Sequence, residues 1–97
     1  MFISCEDAKT LVAQKQAQLV DVRTPEEFMS GPLPGAINIP LHEIDQVAAQ
    51  KLDKTRPVIV FCRSGQRSYM AQQILNGQGF AEVHNLGPSM AWFQCPD

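Results

Sequence analysis

The sequence predicts an α/β domain: a small, mostly parallel sheet flanked by helices. Three observations lead there. Short apolar runs alternate along the chain with stretches whose apolar residues recur every three or four positions. One run, Val58-Ile59-Val60-Phe61, is apolar on both faces, as a strand buried between two helical layers must be. Proline and glycine separate the runs, so neighbouring elements cannot merge. At 97 residues the chain makes one domain, expected to span residues 1–97, with no internal repeat or linker.

Each element has its own signal. Ser4 suits a helix N-cap, with Glu6 and Asp7 in the positive first turn. Ala8, Leu11 and Val12 then form a narrow apolar stripe, while Lys9, Gln14 and Lys15 face water. Leu19-Val20-Asp21-Val22 reads as a buried strand. Thr24, Pro25 and Glu27 make a capping box with proline at the first helical position. The helix they start is short, because Gly31-Pro32-Leu33-Pro34-Gly35 cannot continue it. Ala36 to Ile39 forms a second brief strand, closed by Pro40. Leu41, Ile44, Val47, Ala48 and Leu52 predict a helix over 41–52, broken by Thr55-Arg56-Pro57. The central strand, Val58 to Phe61, ends at Cys62. A polar loop leads to a helix over Tyr69–Leu75, stopped by Asn76-Gly77. Glu82-Val83-His84-Asn85 is the last strand, and Gly87-Pro88-Ser89 leads into a short turn or helix carrying Met90 and Trp92.

Composition excludes several functions. Apolar residues make up 44% and charged residues 19%, enough for a core and against disorder. The longest run free of charge and histidine, Met29 to Leu41, holds three prolines and two glycines, so no membrane span is expected. A net charge of −2 argues against a nucleic-acid surface. The N-terminus turns acidic at Glu6-Asp7, where a secretory signal would be basic and then apolar. Three cysteines are an odd number, too few for a disulfide scaffold and not spaced as zinc ligands. A cytoplasmic domain with free thiols is the expectation.

Chemistry belongs beyond the carboxyl ends of the strands, where Cys62-Arg63-Ser64-Gly65-Gln66-Arg67-Ser68 lies. Amides at the start of the following helix lack intrahelical partners and carry partial positive charge. A loop curled around the cysteine would aim them at its sulfur. Thiolate formation is favoured beside helix N-termini and cations, and Arg63 and Arg67 supply cations on either side. Gly65 permits a tight turn. The pattern suits an anionic nucleophile and an anionic substrate; the plain alternative is a buried cysteine beside two solvated arginines.

These motifs resemble the rhodanese domain family of sulfurtransferases. Leu19-Val20-Asp21-Val22-Arg23 with Glu26-Glu27-Phe28 is similar to the family's first signature, and Gly35-Ala36-Ile37-Asn38-Ile39-Pro40 to its second. The segment from Val58 through Cys62 to Ser68 is similar to its active-site segment. Gly79-Phe80, Val83, Leu86-Gly87 and Ala91-Trp92 resemble its closing pattern. Two positions depart: Gly31-Pro32-Leu33 stands where the family often has histidine, and Gly87-Pro88-Ser89 where paired glycines are common. The resemblance implies a rhodanese fold and a Cys62 persulfide stabilised by backbone N–H groups of Ser64, Gly65, Gln66, Arg67 and Ser68. Thiosulfate is the implied donor, bound through Arg63 and Arg67. Cyanide or a thiol, of a small molecule or of a protein, is the implied acceptor. No metal or organic cofactor is required.

Two rivals share the layout. Cysteine phosphatases and arsenate reductases place five residues between cysteine and an arginine followed by Ser or Thr, whereas four separate Cys62 from Arg67-Ser68 here. The shorter loop closes a smaller ring, better matched to one sulfur than to a tetrahedral oxyanion. A non-catalytic binding module is the other rival, and it would ordinarily lack the cysteine. Elsewhere, Cys5 reads as a small, partly buried residue and Cys95 as an incidental thiol of the tail, each with a reactive role as the lesser option. Glu26 and Glu27 read as complements to the helix dipole, and Asp21 as a buried carboxylate paired with Arg23 or loop backbone. His42 and His84 read as surface or packing residues, and Trp92 and Phe93 as a lid over the sheet end.

Overall fold

The computed structural model describes residues 1–96. Four helices, four strands and two 3₁₀ turns follow in order: α1 (Cys5–Lys15), β1 (Gln18–Asp21), α2 (Pro25–Ser30), β2 (Ile37–Asn38), a turn at Leu41–Glu43, α3 (Ile44–Lys51), β3 (Val58–Cys62), α4 (Gln66–Gly77), β4 (Val83–Pro88) and a turn at Ser89–Phe93. The sheet order is β2-β1-β3-β4 and every pairing is parallel.

Side chains alternate across the strands and so build two cores, one on each face. Val58, Val60 and Cys62 join Val20 and Val22 beneath α3 and α4, with Ile44, Ala48, Ala71, Leu75 and Phe80. Ile59 and Phe61 point the other way, onto Ala8 of α1, Leu19, Leu86 and Trp92. All five residues of β3 are buried, which explains a run without polar alternation. Trp92 is core, as expected, whereas Phe93 is 60% exposed and does not cover the sheet end.

The caps behave as anticipated. The Ser4 hydroxyl accepts from the Asp7 amide at 3.0 Å. Thr24 and Glu27 complete a reciprocal capping box on α2, with Pro25 opening the helix. Helix α4 differs, starting at Gln66, three residues before the predicted Tyr69. Gln66, Arg67 and Ser68 are polar but not helix-breaking, and Gly65 at φ 103° provides the turn that starts the helix. Strand β4 also runs further than predicted, through Gly87 and Pro88. Its pairing with β3 shifts register between Val60 and Phe61, so that Val60 opposes Asn85 and Phe61 opposes Gly87. Pro88 is tolerated because β4 is an edge strand. The predicted helix over 41–52 divides into the 3₁₀ turn and α3.

The expectation of three free thiols is corrected. Cys5 and Cys95 form a disulfide, joining the start of α1 to the tail across 90 residues, and both are buried. An odd count leaves room for one bond and one thiol, and proximity of the two ends in the fold is invisible to spacing. Lys9 of α1, expected to face water, reinforces this seam. Its Nζ donates to the Cys95 carbonyl at 3.1 Å and lies 5.1 Å from the Trp92 ring centroid. Cys62 is the free cysteine. No helix among the described residues is long and apolar enough to cross a membrane.

Candidate active site

The site is built where β3 hands over to α4. Cys62 ends the strand with its side chain on the α3/α4 face and has no solvent-accessible surface. The chain then turns through Arg63 and Ser64, both exposed, to Gly65, whose amide points back and donates to Cys62 Sγ at 3.0 Å. Ser68, one helical turn into α4 and fully buried, brings its hydroxyl to 3.4 Å from the same sulfur. The first intrahelical bond is Tyr69 N–H to Gly65 O, at 3.0 Å. The amides of Gln66, Arg67 and Ser68 in the opening turn have no carbonyl one turn back to bond.

These contacts act on the acidity of the thiol. Burial pushes the Cys62 pKa up, since charge is costly away from water. Against that stand the Ser68 hydroxyl and the amides of Ser68, Gly65 and Ser64, all stabilising the anion. Together they prevail and hold the thiol below its ordinary value of 9.0. The result is a desolvated thiol whose ionised form is favoured by fixed dipoles. At rest the sulfur is closed off from water.

The two arginines of the loop differ. Arg63 is exposed and lines a cleft of about 290 Å³ with Arg23, Glu27, Ser30, Gly31, Ser89 and Met90. Arg67 is gripped bidentately by Glu27, Nη1 to Oε1 at 2.7 Å and Nη2 to Oε2 at 3.0 Å. The guanidinium of Arg67 is raised above its usual value chiefly by Glu27, with the Cys62 charge contributing. The Glu27 carboxyl drops from 4.5 to about 2, first through the Arg67 hydrogen bonds and then through the Thr24 amide. Arg67 is thus a cation shared between α2 and the loop, not a free one.

Behind the rim, the buried Asp21 carboxylate takes Arg23 Nε at 3.0 Å and Nη2 at 2.7 Å, and the Arg23 amide at 2.9 Å. Arg23 Nη2 also reaches Gly31 O at 3.0 Å, pinning the α2–β2 connection. The pairing expected for Asp21 is therefore present.

Two contributions exceed what residue types alone suggest. Glu27 reads from sequence as a capping carboxylate, yet it also clamps the loop arginine. Ser68 enters with its hydroxyl as well as its amide; its spacing, six residues after Cys62, was the available signal. His42 sits beside Glu43 and His84 beside Glu82. Among the described residues no group of His, Cys, Asp and Glu is arranged to hold a metal ion.

The chain is similar to known proteins over most of its length. The family model described as rhodanese-like domain matches residues 4–94. A sulfurtransferase of Allochromatium vinosum is 40% identical over 86 residues, covering 88% of this chain and 79% of the relative. A thiosulfate sulfurtransferase of Escherichia coli is 41% identical over 69 residues, covering 70% of this chain and 66% of the relative. Among solved structures, a human single-domain sulfurtransferase superposes with a TM-score of 0.82 at 26% identity, covering 99% of this chain and 97% of that one.

Proposed function

Because the chain belongs to the rhodanese-like domain family, we propose that it is a sulfurtransferase that carries sulfane sulfur on Cys62. The observation that carries this reading is the free, acidified Cys62 held by the Gly65 amide and the Ser68 hydroxyl. Thiosulfate is the proposed donor, in line with the activity named for the Escherichia coli relative.

The reaction has two displacements. The Cys62 thiolate attacks the outer sulfur of thiosulfate, a sulfur–sulfur bond forms to Cys62, and the bond to the sulfonate sulfur breaks with its electron pair leaving as sulfite. The Cys62 persulfide anion then sits where the loop amides and Ser68 offer hydrogen bonds, so charge is stabilised in both resting and loaded states. A nucleophilic acceptor, cyanide in an assay or a thiol in the cell, takes the outer sulfur and returns Cys62 as thiolate. No proton need move in the cyanide reaction, and the scheme calls on no metal or organic cofactor. Arg63 is proposed to draw the dianion into its cleft and bind its oxygens. Arg67, already compensated by Glu27, adds the lesser share of positive field. The proposed acceptors include thiols of small molecules and of proteins.

The redox state of Cys5 and Cys95 reports the compartment. In the cytoplasm, the proposed compartment, thiol reductants would hold them open; an oxidising compartment would keep them paired. Alkylating the protein as it is lysed from cells reads which state it occupies.

Steady-state kinetics test the chemistry. Ping-pong behaviour with thiosulfate and cyanide, lost in Cys62→Ser, is the expected result. Cys62-dependent hydrolysis of a phosphate ester or reduction of arsenate, without sulfur uptake, would replace sulfur transfer with the rival chemistry. Folded protein with no activity of any kind would leave a binding module.

A further inference from the structure

We propose that Asn85 is a positioning residue for the sulfur-carrying loop, acting through Gly65 and backed by the ring of Phe2. Asn85 sits on β4, across from Val60, and is buried at 2% exposure. A buried amide side chain must satisfy its donors and acceptors. Asn85 does so by joining two glycines. Its Nδ2 donates to Gly65 O at 3.3 Å, and its Oδ1 accepts from the Gly87 amide at 2.8 Å. The second bond is a local side-chain turn that closes the irregularity in β4, where Gly87 stands at φ 84°.

Phe2 completes the clamp. A Cβ on Gly65 would lie 2.5 Å from Phe2 Cζ, and one on Gly87 would lie 2.7 Å from Phe2 Cδ2 and Cε2. The ring therefore covers both glycines where any side chain would collide. The two glycines face each other, since a Gly65 Cβ would come within 3.3 Å of the Gly87 Cα. The segment that carries the ring is tied to the strand: the amide of Ile3 donates to the Asn85 carbonyl at 2.8 Å.

The clamp serves the chemistry through geometry. Glycine has wide backbone freedom, so the direction of the Gly65 N–H is only as fixed as its surroundings make it. Tyr69 and Asn85 hold the Gly65 carbonyl, and Phe2 limits movement of its Cα. With those restraints the N–H stays on Cys62 Sγ at 3.0 Å. A hydrogen bond weakens as its N–H···acceptor angle departs from linear, so a turn of the Gly65 N–H away from the sulfur would be felt there. The functional meaning of the clamp rests on the sulfur-transfer reading, but its effect on the thiolate does not.

The test is the pH dependence of Cys62 alkylation by iodoacetamide in wild type, Asn85→Ala and Phe2→Ala. With Cys5 and Cys95 paired, Cys62 is the reacting thiol. Neither substitution alters the charged groups around the sulfur: Arg63 and Arg67, Glu27 on α2, and the Asp21–Arg23 pair at the end of β1. The midpoint in Asn85→Ala is expected to rise by about one unit, as for substantial loss of one charge-assisted bond. In Phe2→Ala it rises less, in the same direction. A folded Asn85→Ala with the wild-type midpoint would overturn the proposal. Should Asn85→Ala not fold, a wild-type midpoint in Phe2→Ala would overturn it instead. Failure of the sulfur-transfer reading shows separately, as wild-type protein that takes no sulfur from thiosulfate.

Discussion

Ionising a thiol with no water around it needs compensation from fixed dipoles, and the individual bonds on Cys62 supply it. The Ser68 hydroxyl and the loop amides outweigh burial. Farther out, Glu27 decides how much of the loop's positive charge a substrate sees. Its carboxyl lies at about 2 rather than 4.5, so its ionised form is favoured by folding. Stability from that pairing is complete above the unfolded value and lost as pH falls from about 4.5 through about 2. Urea midpoints should therefore fall more steeply over that window in wild type than in Glu27→Gln; equal slopes would contradict the pairing. Arg63→Ala should raise the KM for thiosulfate by about tenfold, the scale of one charge-assisted contact, with a smaller effect on kcat. Donor-saturation kinetics measure this, and an unchanged KM would remove Arg63 from donor binding.

Strand β3 and helix α4 divide the work between scaffold and site. Ile59 and Phe61 face α1 and Trp92, while Cys62 belongs to the opposite layer. Ile59→Val should therefore lower stability by about 1 kcal/mol in chemical denaturation and leave sulfur uptake at Cys62 intact. Loss of uptake in a folded Ile59→Val protein would mean the two faces are coupled. This strand was the clearest element in the sequence, because burial on both sides leaves an unbroken apolar run. The loop was legible as well, since Cys62, Gly65 and two arginines fall between a strand and a helix. Gln66-Arg67-Ser68 hid the start of α4, because polarity marks exposure and says little about helicity. Gly87-Pro88 read as the end of a strand, yet an edge position and the Asn85 side chain let β4 continue. The Arg67–Glu27 clamp spans 40 residues and became visible only when α2 and α4 met.

At the scale of the molecule, one parallel sheet brings the ends of β1 and β3 together at the loop, and one disulfide seals the opposite arrangement of N- and C-terminal segments. The Cys5–Cys95 bond closes a 90-residue separation, the kind of long closure that restricts the unfolded chain most. Replacing both cysteines by alanine should cost about 2–4 kcal/mol and lower the Tm by about 10 °C or more. Calorimetry would show it, with the chemistry at Cys62 preserved; an unchanged Tm would mean the bond contributes nothing to stability. Family membership and fold were both within reach of the sequence, whereas this pairing depended on where two distant segments end up. The central claim concerns a single sulfur atom. Intact-mass measurement after incubation with thiosulfate, comparing wild type with Cys62→Ser, tests it most directly. A gain of one sulfur in the wild type alone is the predicted result, and no gain in the wild type, or an equal gain in Cys62→Ser, would contradict it.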